Sequence, residues 1–125
     1  MLTALLVLYT SASFLHFAHN AEFLGEYPNL PDIMTRSSVY MAWLGLAAIG
    51  VVGFGLYRGR RKLAGLRLLG LYAALGFAGL IHYARAPVGA HSATMNFTIW
   101  FEVVCAAALL CVVTTVLARH GSRQG

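Results

Sequence analysis

Six side chains of this sequence have the types and spacing to do chemistry: His16, His19, Glu22, His82, His91 and Glu102. Three of them crowd into residues 11–31, SASFLHFAHNAEFLGEYPNLP, with Asn20 among them. The chain holds only five histidines and four acids, so this density is not a by-product of composition. Imidazole and carboxylate together suit a transition metal such as zinc, iron or copper. Helical bundles build such sites from His and Glu on facing helices, three or four residues apart. The same groups also serve as general acid and base.

What must position them is set by hydropathy. The 125 residues are 59% hydrophobic and 10% charged, far from the soluble norm of about a quarter charged. Four apolar segments, residues 2–18, 39–57, 63–84 and 95–118, approach or exceed the roughly 20 residues that a helix needs to cross the hydrocarbon layer. None has the broad polar face of a surface helix. The expectation is an all-α membrane protein of one domain, 1–125, with four transmembrane helices in an antiparallel bundle. The first segment reads as a retained span, since no Lys or Arg precedes Arg36 and the apolar run continues past Ser11-Ala12-Ser13.

The basic residues predict the orientation. Arg58, Arg60, Arg61, Lys62 and Arg67 flank the second connection, Arg119 and Arg123 follow the fourth segment, and only Arg36 and Arg85 lie opposite. The positive-inside rule then puts both termini in the cytoplasm. That reading explains the net charge of +5 without a nucleic-acid partner. Six of the seven long-range candidates for chemistry, counting His120, fall on the outer side; His120 alone is cytoplasmic. The expected location is a bacterial inner membrane, with the site facing the periplasm.

Periodicity arranges these residues on faces. Tyr9, Ala12, His16, His19 and Phe23 form a 3,4,3,4 stripe, bordered by Asn20; Met95, Thr98, Glu102, Cys105 and Leu109 form another. In the third segment the inward stripe is expected at Ala74, Ala78 and His82, because small residues admit a neighbouring helix. Segment two lacks charge and histidine between Val39 and Leu56, so it reads as scaffold, with Gly45, Gly50, Gly53 and Gly55 for close packing. Cys105 and Cys111 are separated by about 120° and about 9 Å of rise; they cannot pair and are expected to be buried packing residues.

Depth divides the candidates. His91 and Glu102 are eleven residues apart, about 16 Å if helical, too far to share one ion. The expected ligand set is His16, His19, His82 and Glu102, with Glu22 and His91 at the rim as catalytic acid or base. Singly, each residue also has an ordinary role: His19 and Asn20 as helix-end groups, His82 as an interface anchor, Glu22 as a surface charge. Glu102 is the hardest to assign such a role, because a carboxylate in a membrane helix must be protonated, paired or bound.

The segment His19-Asn20-Ala21-Glu22 resembles the HxxE opening of small bacterial membrane proteins of the HXXEE type, with Phe23 where that family has its second Glu. The resemblance implies a metal-binding membrane protein. Together these readings predict a small metalloenzyme acting on a membrane-dissolved substrate, a lipid or quinone. The alternatives are a haem- or copper-holding subunit with His16 or His19 facing His82, and a proton- or metal-coupled transporter that uses Glu102. A homo-oligomer or a larger membrane complex is the expected assembly.

Overall fold

A computed structural model describes residues 1–121, so Arg123 of the orientation argument lies outside the described residues. The apolar runs fold into α1 (Leu2–Glu22), α2 (Arg36–Arg58), α3 (Lys62–Leu75), α4 (Ile81–Arg85) and α5 (Ala93–Gly121). Short 3-10 turns span Leu24–Glu26, Gly76–Leu80 and Val88–Ala90. Four helical stretches are long and apolar enough to cross a membrane: Leu2–Glu22, Arg36–Arg58, Lys62–Arg85 and Ala93–His120. The third of these is α3, the 3-10 turn and α4 run together.

Local chemistry sets the helix ends. Thr35 caps α2: its Oγ1 accepts from Ser38 N at 3.1 Å, while Ser38 Oγ accepts from Thr35 N at 2.9 Å. This reciprocal box satisfies two backbone donors that a helix start otherwise leaves open. It moves the start of α2 back to Arg36, earlier than hydropathy alone places it. The tip of the first connection turns at Asn29, whose φ of 55° is a left-handed conformation that Asn tolerates well.

α1 packs on α2 and α5, and α3 packs on the same two helices, which leaves α1 and α3 across the bundle from each other. The inner layer joins Tyr9, Leu66, Leu69, Tyr72, Leu109 and Val113. Within it the Tyr9 hydroxyl donates to the Tyr72 carbonyl at 3.0 Å, and the two rings lie 4.7 Å apart. The outward surface is also apolar: Val51 is 72% exposed and Val104 62%. A soluble bundle would place polar residues at such positions, whereas lipid tails accept them. The buried polar side chains Ser13, His16, Asn20, His82, His91, Thr98 and Glu102 gather around the end where α1 finishes and α5 begins.

Several expected faces are rotated. On α1 the buried set is Tyr9, Ala12, Ser13, His16 and Asn20, with Ala21, while His19 is half-buried and Phe23 is 45% exposed. At about 100° per residue, Asn20 lies about 20° from Tyr9 and His19 about 80° away, so a 3,4,3,4 stripe drifts off the face. In the third span Ala74 and Ala78 are exposed; the inward residues are Ala73, Gly76, Gly79 and His82. Their spacing of three follows from the 3-10 turn, where residues i and i+3 eclipse. The α5 stripe from Met95 to Leu109 is buried as the spacing predicts. Cys105 is buried but Cys111 is exposed, and both are free thiols. Of the α2 glycines, Gly50 and Gly53 press on α3, whereas Gly45 and Gly55 face open space.

Candidate functional site

The site begins with one bond between two helices. His16 Nδ1, on α1, pairs with Glu102 Oε2, on α5, and both residues are buried. The register is set by the two stripes that carry them, so each residue sits where its helix already faces inward. Gly79 makes room for the pair: a Cβ there would stand 2.9 Å from His16 Cε1 and 3.3 Å from Glu102 Oε2. A hydrogen at this position lets the third span close over the bond without contact. Gly76, one 3-10 turn earlier, does the same over Tyr9 and Ala106.

A second pair lies beside the first. Asn20 Nδ2 donates to His82 Nε2 at 3.1 Å, and both residues are buried. The neutral ring that accepts at Nε2 carries its hydrogen on Nδ1. The rings of His16 and His82 are 5.4 Å apart and meet edge to face. His91 follows, 6.2 Å from His82, with its Nδ1 held by the Pro87 carbonyl at 3.1 Å. His16 Nε2, His82 Nδ1, His91 Nε2 and Asn20 Oδ1 are buried and have no hydrogen-bond partner. Buried polar atoms are rarely left in this state, and four of them lie in one neighbourhood here.

Beside His16, Asn20 and His82, but not His91, is a half-open cavity of about 200 Å³. His16, Asn20, His82 and Glu102 form its polar part; Phe17, Leu30, Met34, Leu75, Ala78 and Ile81 form its apolar walls, and Arg85 also borders it. Ala78 and Ile81 are exposed on the third span, so the mouth lies on the apolar flank of the bundle. Leu30 and Met34 come from the connection between α1 and α2, which is tied down over the site. Asn29 Nδ2 donates to the Arg85 carbonyl at 2.8 Å. Tyr27 is buried against His82, with ring centroids 4.9 Å apart. Burial pushes the Tyr27 phenol up to about 12, so it remains a neutral hydroxyl at physiological pH.

His19 and Glu22 lie elsewhere. His19 Nδ1 pairs with the Tyr27 hydroxyl at 2.9 Å, its ring stacks on Phe23 at 4.7 Å, and it does not line the cavity. Glu22 is on the surface, where Arg36 Nη2 and the Tyr40 hydroxyl lie 2.7 Å and 2.8 Å from its Oε1. That network ties the end of α1 to the start of α2. Among the described residues, no three His, Cys, Asp or Glu side chains are arranged to share one metal ion. The spacing argument put Asn20 only at the border of the α1 stripe, outside the ligand set, and passed over Gly79 and Arg85. An eleven-residue step from Tyr9 to Asn20, three helical turns, was the signal for the first. The GFAG sequence before His82 was the signal for the second. No family model, curated protein or solved structure matches the chain.

Proposed function

We propose that this chain is a small membrane enzyme that takes the polar head of a membrane-dissolved substrate, a lipid or quinone, into the cavity beside His16. The observation that carries this reading is the buried His16–Glu102 pair, whose outer nitrogen, Nε2, has no partner and whose imidazole borders an open cavity. A carboxylate bound to one imidazole nitrogen sets the tautomer and orientation of the ring and makes the other nitrogen a proton acceptor. The proton taken at Nε2 leaves an imidazolium that the carboxylate stabilises. Apolar walls exclude water from this transfer and receive the hydrophobic part of the substrate. In this reading the four spans run antiparallel in a bacterial inner membrane, with both termini cytoplasmic and the cavity near the periplasmic face.

The test is to extract the protein in mild detergent and identify co-purifying small molecules by mass spectrometry. The wild type is expected to retain one amphiphile near stoichiometry. His16→Ala and Glu102→Gln, if folded, are expected to lose at least nine-tenths of it, on the order of a 1.4 kcal/mol loss per tenfold. Equal retention by wild type and both variants would sink this reading.

A second reading has its own observation. His16 and His91 each have one ring nitrogen held by an oxygen and the other unpaired, the pattern of histidines that ligate metals. The three rings do not bring their nitrogens to one point as they stand, so an ion shared with His82 requires the side chains to shift, with the Asn20 amide turned over so that Oδ1 accepts from Nε2–H and Nδ1 gains a lone pair. The bound ion would be zinc, iron or copper, held without His19. Elemental analysis decides: a stoichiometric metal lost in His82→Ala and in Asn20→Ala, but kept in His19→Ala, supports this reading, and a metal-free wild type ends it.

A further inference from the structure

From the unpartnered Arg85 side chain at the cavity we infer that its occupant carries an anionic oxygen head group, a carboxylate or a phosphate, on an apolar chain. The inference rests on the cavity being a ligand site, as argued above, and adds the charge of the ligand.

Two charged side chains border the cavity, Glu102 and Arg85. Glu102 is bound to His16. That bond gives its carboxyl a partner inside the bundle. Arg85 is half-buried, and its guanidinium makes no hydrogen bond or ion pair with any described residue; only its main-chain carbonyl is engaged, by Asn29. Of the two, Arg85 alone has a charged end with no hydrogen-bond or ion-pair partner among the described residues. His16 Nε2, His82 Nδ1 and Asn20 Oδ1 are also unpaired, on residues that line the cavity beside Arg85. Guanidinium binds carboxylate and phosphate through two parallel bonds, and such charge-assisted bonds strengthen where water is excluded. A neutral quinone or an alcohol would leave Arg85 without a partner at a partly desolvated position. The exposed Ala78 and Ile81 at the mouth give the chain of the ligand a route into the bilayer while its head stays inside.

The experiment uses purified full-length protein in nanodiscs of a zwitterionic lipid and three probes of equal chain length: a fatty acid, a lysophosphatidic acid and a fatty alcohol. Affinities are read by competition with a photoreactive fatty acid, whose cross-links are located by peptide mass spectrometry. At least one anionic probe is expected to bind tenfold or more tightly than the alcohol. Preference for the fatty acid identifies a carboxylate, preference for the lysolipid a phosphate, and either supports the inference. Arg85→Gln is expected to erase the preference, Arg85→Lys to keep most of it, and Arg67→Gln, outside the cavity lining, to leave it intact. If the alcohol binds as tightly as both anions and is lost in His16→Ala, the cavity is a ligand site but the anionic inference is wrong. If Arg85→Gln and Arg85→Lys both fold and both retain the wild-type preference, Arg85 does not read the anion. Failure of all three probes to bind wild type would overturn the cavity itself as a ligand site.

Discussion

The bond between His16 and Glu102 joins side chains 86 residues apart, so each is satisfied only when α1 and α5 are docked. Removing one partner of such a buried pair strands the other, and stranding costs more than the pair contributes. His16→Leu and Glu102→Leu are each expected to destabilise the folded protein by about 3–5 kcal/mol. The double variant should be less destabilised than the sum, with a coupling of about 0.5–3 kcal/mol. Thermal or steric-trapping measurements in detergent would read the cycle; simple additivity would mean that the two residues do not act as a pair. The same reasoning separates the site histidines from His19. His19 pairs with Tyr27, eight residues further along the chain, and not with a residue of α5.

The third span is where an element, more than any single residue, shapes the site. Had it run as one α-helix, Ala74, Ala78 and His82 would share a face. The 3-10 turn at Gly76–Leu80 tightens the winding and brings Gly76, Gly79 and His82 onto the inner side together, while Ala74 and Ala78 face outward. Gly79 is the residue on which this depends, because a methyl group there must displace an imidazole that Glu102 holds in place. Gly79→Ala is expected to cost about 1–3 kcal/mol through overpacking. It is also expected to reduce ligand retention at least as much as Glu102→Gln does, while Gly89→Ala, in open space, changes neither. Equal retention in Gly79→Ala and wild type would show that the pair has room to shift.

Across the whole molecule the charge distribution makes an independent prediction. Seven of the nine basic residues, Arg58, Arg60, Arg61, Lys62, Arg67, Arg119 and Arg123, belong to one side in the four-span reading, and Arg36 and Arg85 to the other. A reporter fused after Gly125 is therefore expected to read cytoplasmic, and one inserted in the exposed Pro31–Asp32 tip periplasmic. The reverse pattern would put the cavity on the cytoplasmic side. The ligand argument would stand in either case, because it depends on groups around the cavity and not on which compartment is nearer.

Hydropathy and segment length were enough to reveal four apolar helices, because a span must satisfy its backbone within itself and is apolar over a fixed length. The stripe on α5 was legible for a similar reason: one continuous helix keeps its phase from Met95 to Leu109. The sequence also singled out His16, His82, His91 and Glu102, since ionisable groups are rare in such a chain. Their partners were decided by tertiary structure. Choosing Asn20 over His19 depends on a rotation of about 100° between adjacent residues, and a change of winding in the third span shifts its whole inner face. Whether Glu22 reaches the cavity or Arg36 depends on how the first connection folds back, a matter of loop closure that periodicity does not encode. The unpartnered Arg85 side chain arises the same way: Glu102 and Arg85 both border the cavity, but only the docking of α1 gives Glu102 a partner.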